Sequence, residues 1–272
     1  MDIKVSLPEL TATYLVDQEQ VVEFQANGHI LLQNILSKEE IKAYRPVINE
    51  AAYKFNTEKR KMEERDTYGK AFLQIMNLWQ SDETVSHFTL AKRFSAVAAS
   101  LLGVEKVRLY HDQALYKEPK GGLTPWHQDQ YYWPLDIQQT VTMWMPLIDI
   151  TEDLGMLTFA SRSHKKGIVD DLPISDESEV MLEKYIKENE YPISRPAYMN
   201  AGDATFHYGY TLHSAPGNAS NDITREVMTI IYFADGAIVS EPKNSFQEND
   251  RQKWLNGLKP GSLAASELNP LL

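Results

Sequence analysis

In the stretch "TPWHQDQYYWPLD", Thr124 to Asp136, a histidine and an aspartate stand two residues apart among four aromatic rings. Residues i and i+2 of an extended segment share a face. His127 and Asp129 can therefore reach one metal ion, while Gln128 turns away or to the ion's flank. The pair alone is weak, because Asp129 could equally cap a turn. A second stretch, "GDATFHYGYTLHSAPGNASNDITREVMTIIYF", sharpens it. His213 stands there, and Arg225 follows twelve residues later at the head of a strand-like run. Two histidines and one carboxylate cover one face of an octahedral ion and leave three positions open, the donor set of non-heme Fe(II) oxygenases. A bidentate 2-oxo acid would fill two positions and O2 the third. An arginine nearby can hold the far carboxylate of such an acid through charge-assisted hydrogen bonds.

The other histidines divide. His29, His87 and His164 have no partner at ligand spacing and read as structural or exposed, and His111 in "LYHDQALYK" reads as structural. His207 shares strand parity with His213, so it either faces the same site or sits in the core with its nitrogens bonded. Lys117 either greets an acidic cosubstrate or ends a strand in solvent. Gln74, in "AFLQIMNLW", either reaches the site from a helical layer or packs. Tyr131, Tyr132 and Trp133 either wall a substrate pocket or fill the core.

Composition narrows the chemistry. The chain has 272 residues, enough for one large domain. It carries a formal net charge of −11, which repels phosphate backbones and argues against a nucleic-acid partner. It has no cysteine, so disulfides, thiolate ligands and cysteine nucleophiles are excluded, and any metal must be held by His, Asp and Glu. No apolar run approaches the length of a membrane span, and "MDIKVSLPEL" lacks the basic-then-apolar pattern of a secretory signal. These features fit a cytoplasmic protein. Oligomeric state leaves no signal in the sequence.

The elements that must position the site come in two textures. Residues 17–26 read as a helix capped by Asp17 and stopped by Gly28, followed by a short strand in "HILLQNIL". Ser37 caps a second helix, with Glu40 at the capping-box position. Residues 57–70 read as a charged helix end and loop, and 86–102 as one helix closed by Gly103. After Gly103 come "KVRLYHDQALYKE", "TVTMWMPLIDI", "LTFAS", "DATFHYG" and "EVMTIIYFA", strand runs separated by turn residues, with an acidic helical insertion at 175–190. From about 240 the chain reads as a polar tail. Helices first and many short strands after predict a mainly β fold with flanking α: a jelly roll with N-terminal helices packed outside it.

These motifs, in this order, resemble the phytanoyl-CoA dioxygenase family of Fe(II)- and 2-oxoglutarate-dependent oxygenases. The resemblance starts at "DQEQVVEFQANGHILLQNILSKEEI". It runs through "LYKEPKGGLTPWHQDQYYWP", "LGMLTFASRSHKKG" and "AGDATFHYGYTLHSAPGN", and ends at "TREVMTIIYFADG". It implies a single domain over 1–272: a helical layer over about 1–103, a cupin-like double-stranded β-helix over about 104–240, and the polar tail. It implies His127, Asp129 and His213 as iron ligands and Arg225 as the anchor for the C5 carboxylate of 2-oxoglutarate. Gln128 and Trp144 match positions that often line the cosubstrate pocket. Gln74, Tyr132, Trp133 and His207 are the candidates for the substrate side. The implied reaction couples decarboxylation of 2-oxoglutarate, with O2, to hydroxylation or another oxidation of an unactivated C–H bond in a small metabolite. Related halogenases replace the carboxylate ligand with a small residue, so Asp129 argues for oxidation without halogenation. Two other readings are a jelly-roll metalloenzyme that does not use 2-oxoglutarate and a non-enzymatic binding protein on the same fold. Arg225 argues against the first and the intact triad against the second.

Overall fold

The computed structural model describes residues 7–169 and 172–272. The helical layer comprises α1 (Gln18–Asn27), α2 (Lys38–Phe55), α3 (Thr67–Ala71), α4 (Leu78–Ser81), α5 (Glu83–Thr89) and α6 (Lys92–Leu102), with strands β1 (His29–Leu32) and β2 (Leu73–Met76) threaded between them. Strands β3 (Val107–Lys117), β4 (Thr124–His127), β5 (Thr140–Pro146), β6 (Ile150–Thr151) and β7 (Thr158–Ala160) follow. Then come α7 (Asp176–Glu188), β8 (Ile193–Ser194), β9 (Tyr198–Met199), β10 (Ala204–Tyr208), β11 (His213–Ala215), β12 (Arg225–Ala234) and α8 (Ser245–Trp254).

The caps explain where the first helices begin. Asp17 and Ser37 each accept a backbone N–H from the third helical residue, and Gln20 and Glu40 reach back to the cap, so two orphan donors are satisfied at each end. Gly28 ends α1 at φ 85, where a side chain would also collide with His164.

All paired strands are antiparallel. The major sheet runs β1-β10-β5-β12-β3-β2, the minor sheet β4-β11-β7-β8, and β6-β9 form a separate pair. The fold is mainly β with flanking helices, of the jelly-roll type. Both faces of the major sheet are covered, which is why its strands read as almost unbroken apolar runs. Period-two alternation sorts the residues. Val141, Met143, Met145, Phe206, Met228, Ile230 and Tyr232 join Phe88, Phe94, Val97 and Leu101 in the core beneath the helices. Thr142, Trp144, His207, Arg225, Thr229 and Ile231 turn the other way and line a cavity.

Three expectations need correction. Residues 86–102 are not one helix: Asp82 caps α5 from Glu83, the chain extends at Ala91, and α6 begins at Lys92. At the break, the Thr89 hydroxyl donates to Asp112 at 2.7 Å, and the same buried carboxylate caps α4 through the Leu78 and Trp79 amides. Gln74 lies on β2, an edge strand of the major sheet, and not in the helical layer. The polar tail contains α8, capped by Asn244, and its Gln247 donates to the Tyr131 carbonyl at 3.0 Å.

Candidate metal centre and cosubstrate pocket

Strand register brings the two distant histidines together. His127 ends β4 directly opposite His213 on β11, and their ring centroids are 4.1 Å apart. Asp129 follows after one extended residue, Gln128, at φ −119 and ψ 127. Its Oδ1 lies 3.6 Å from Nε2 of each ring. One ligand atom from each of the three residues falls within 4.8 Å of the others.

The remaining polar atoms of the cluster are already engaged. Nδ1 of His127 bonds the Pro125 carbonyl at 2.7 Å, and Nδ1 of His213 bonds the Thr211 carbonyl at 2.9 Å. A carbonyl can only accept, so each Nδ1 carries the proton and each Nε2 presents its lone pair inward. On the carboxylate, Oδ2 accepts from the Thr142 hydroxyl at 2.9 Å and lies 3.3 Å from His207 Nε2, which leaves Oδ1 for a metal. Burial alone would raise the Asp129 carboxyl, yet the surrounding His213, His127 and His207 hold it well below the usual range. Burial, aided by the neighbouring histidines, pushes His213 well below its ordinary value. An ionised Asp129 and an unprotonated His213 are the states a divalent metal requires of its ligands. The donor set therefore fits iron.

A cavity of about 560 Å³ opens beside the triad, within the size range of small-molecule sites. At one end stands Arg225, 2% exposed, with its guanidinium 5.3 Å from the Trp144 ring centre. One nitrogen donates to the Gly155 carbonyl, while its Nε is buried without a partner. Burial lowers this guanidinium to about 9, so it remains charged at neutral pH. Lys117 sits opposite Arg225 in the β3–β12 register and is fully buried, so it does not end a strand in solvent. Its ammonium donates to the Gly122 carbonyl and, at 3.1 Å, to the Thr124 hydroxyl that lines the cavity. Burial first, then Arg225, lowers Lys117 to about 6. The Gly155 backbone closes against this pair: at φ 82, a Cβ there would meet the Lys117 side chain and the Pro216 carbonyl. A buried guanidinium with no carboxylate partner among the described residues, beside a lysine that would take up a proton as an anion arrives, makes an anion-binding end.

Trp144, Gln74, Tyr132, Trp133 and His207 all line the cavity. Gln74 accepts from the Tyr68 hydroxyl at 2.8 Å and donates to Gln113 at 3.0 Å. His207 joins the site through Asp129. Gln128 does not line the pocket: its amide nitrogen donates to the Gly167 and Tyr210 carbonyls and its oxygen accepts from the Val169 amide. Alternation accounts for this, because the residue between two inward ligands must point outward. His29 is a satisfied core histidine, bonded to Ser161 and stacked on Phe159. Thr142, His111 and Asp250 are site-lining residues outside the motif. Parity with Trp144 marks Thr142, and parity with Lys117 marks His111, but Asp250 lies on a helix hidden in the polar tail.

An antiparallel two-sheet core carrying two histidines and a carboxylate beside a cationic anchor defines the iron- and 2-oxoglutarate-dependent oxygenases. The chain belongs to the phytanoyl-CoA dioxygenase (PhyH) family, whose model matches residues 24–227. It is accordingly an enzyme of that oxygenase class, using iron, 2-oxoglutarate and O2. Among solved structures it is similar to SnoK, a non-heme alpha-ketoglutarate-dependent carbocyclase from nogalamycin biosynthesis. That match has 24% identity and a TM-score of 0.78, over 94% of this chain and 96% of that one. The epimerase SnoN, solved with Fe3+, alpha-ketoglutarate and nogalamycin RO, matches at 22% identity and TM-score 0.75, over 93% and 97%. EctD from S. alaskensis, solved with 2-oxoglutarate and 5-hydroxyectoine, matches at 19% and 0.64, over 89% and 88%. At these identities the likeness speaks for the fold.

Proposed function

We propose that His127, Asp129 and His213 hold Fe(II) and that Arg225 binds the C5 carboxylate of 2-oxoglutarate, with Lys117 behind it. On this reading the chain is one catalytic domain that oxidises an unactivated C–H bond of a small metabolite, in the cytoplasm. The observation that carries the reading is the pre-set triad: both Nε2 atoms and Asp129 Oδ1 converge, while every other polar atom of the three side chains has a partner or faces one. When bound, iron with 2-oxoglutarate and O2 supplies an oxidant strong enough for such a bond, with release of succinate and CO2.

The chain's own residues do the rest. Thr142 and His207 fix the Asp129 carboxylate so that a single oxygen faces inward. Trp144 covers the guanidinium of Arg225 and keeps water from its planar face. Tyr132 and Trp133 also wall the cavity and favour an apolar substrate body. The net charge of −11 supports a small-molecule partner over a nucleic acid. Among the described residues, no helix is long and apolar enough to cross a membrane.

The test is spectroscopic and needs no substrate. Anaerobic addition of Fe(II) and then 2-oxoglutarate is expected to give the weak visible charge-transfer band of a 2-oxo acid chelate, absent in Asp129→Ala. Bound iron without that band in the wild type would overturn the 2-oxoglutarate assignment.

A further inference from the structure

The cavity has a second end, remote from Arg225 and Lys117. His111 lies six residues before Lys117 on β3, about 20 Å away along the strand, and also lines the cavity. Its ring is 2% exposed, and its Nδ1 is buried without a partner. Burial lowers the imidazole to about 3, so His111 is a neutral group that can accept a hydrogen bond.

Helix α8 closes this end. Phe246, Asn249, Asp250, Lys253 and Trp254 line the cavity, and their spacing of three and four places them on one helical face. The helix lies beyond the residues matched by the family model, so the family's shared features do not account for it. Asp250 is 9% exposed. Its carboxylate accepts from the Tyr110 hydroxyl at 3.0 Å and from Trp254, both neutral donors. Lys253, one turn further on, is exposed and forms no ion pair with it among the described residues, and its charge only partly offsets the burial. Burial pushes the Asp250 carboxyl up to about 7. A buried carboxylate whose hydrogen-bond donors are neutral and whose nearest cation stays at the surface is a costly arrangement unless a ligand completes it. Aromatic rings surround the position: Trp254 packs 5.4 Å from His111, and Phe246 meets Tyr132 edge-on at 5.5 Å. Ring faces and a carboxylate together favour a positive charge.

We propose that the α8 end of the cavity is a recognition subsite for an organic cation, a protonated amine carried on an apolar body. Asp250 is its counter-ion, His111 accepts one of its N–H groups, and Trp254, Tyr132 and Phe246 form its walls. The assignment deepens the proposed function, on which it rests only in giving the opposite end to 2-oxoglutarate.

The test is calorimetric, with three probes of similar size: 2-phenylethylamine, 2-phenylethanol and 3-phenylpropionate. Each is titrated into the full chain, first metal-free and then anaerobically with Fe(II) and 2-oxoglutarate present. The amine is expected to bind about tenfold more tightly than the alcohol, and the carboxylate not to bind once 2-oxoglutarate fills the other end. Asp250→Asn keeps the shape and is expected to erase the amine's advantage while leaving the alcohol unchanged. Should that variant fold poorly, Phe246→Leu, at a half-exposed position, is expected to weaken the amine about threefold and the alcohol less. Equal binding of amine and alcohol by the wild type, an unchanged preference in Asp250→Asn, or no binding of any probe overturns the proposal. Failure of 2-oxoglutarate to bind would instead overturn the cosubstrate reading, and the metal-free comparison of amine with alcohol would still decide this one.

Discussion

The two ends of the cavity are built on the same strands and have opposite electrostatics. At one end Arg225 and Lys117 sit opposite each other on β12 and β3, buried and without a carboxylate partner among the described residues. At the other, Asp250 and His111 line the cavity, and the nearby cation, Lys253, stays exposed. The cationic side chains of the first end come from strand residues held in register. The second needs a helix that arrives after the sheet is complete. A rigid sheet can serve a constant cosubstrate, whereas a helix laid across the mouth can change with the substrate at little cost to the core.

The comparison can be broken at several points. The largest effect is expected at the triad between the two ends. His127→Ala or His213→Ala should abolish Fe(II) binding and turnover, read by metal analysis after desalting and by succinate release. Retained wild-type activity would remove that residue from the metal site. Next comes Arg225→Ala, which deletes a buried charge-assisted contact and should raise the apparent KM for 2-oxoglutarate roughly 10- to 100-fold. If the ends are independent, amine binding should survive that change. Lys117→Met should raise the same KM by about three- to tenfold, since Lys117 acts through Thr124 and the local field. An unchanged KM would leave Arg225 as the sole anchor.

The smallest effect sharpens the α8 end. A carboxyl raised to about 7 in the fold holds a proton that the unfolded chain has already released above roughly pH 4. Burial of Asp250 therefore costs stability progressively as pH rises from about 4 through 7. Asp250→Asn removes that cost, so the variant should melt roughly 2–4 °C above the wild type at pH 8, with the gap closing toward pH 4. A gap that widens in acid would mean that Asp250 is ionised and paired in the free protein.

The same contrast governs what could be read from sequence. The His127, Asp129, His213 and Arg225 pattern was legible because each is a chemically unusual residue in a strand run, and strand parity says which neighbours share its face. The caps Asp17, Ser37 and Gly28 were legible because they act locally. The break between α5 and α6 was not, because it depends on Asp112, a residue brought in from β3 by the fold. Gln128 misled for a related reason. Its place inside the motif suggested cosubstrate contact, but its partners, Gly167, Val169 and Tyr210, come from loops whose approach no local pattern announces. Helix α8 is not legible in the sequence because its inward face mixes Phe246, Asn249, Asp250 and Trp254. The periodicity is present, but apolarity does not mark it.

One detail of the triad bears on how the protein lives without its metal. Both histidines tie Nδ1 to the carbonyl two residues earlier in the chain. The rings are thus aimed by local backbone, not by the ion. Metal loading then becomes a late and reversible event, unlike the small zinc domains that collapse when stripped. Chelation should erase activity while leaving the circular dichroism spectrum and melting profile nearly intact. The apoprotein would wait as a folded reserve whose activity follows the supply of iron.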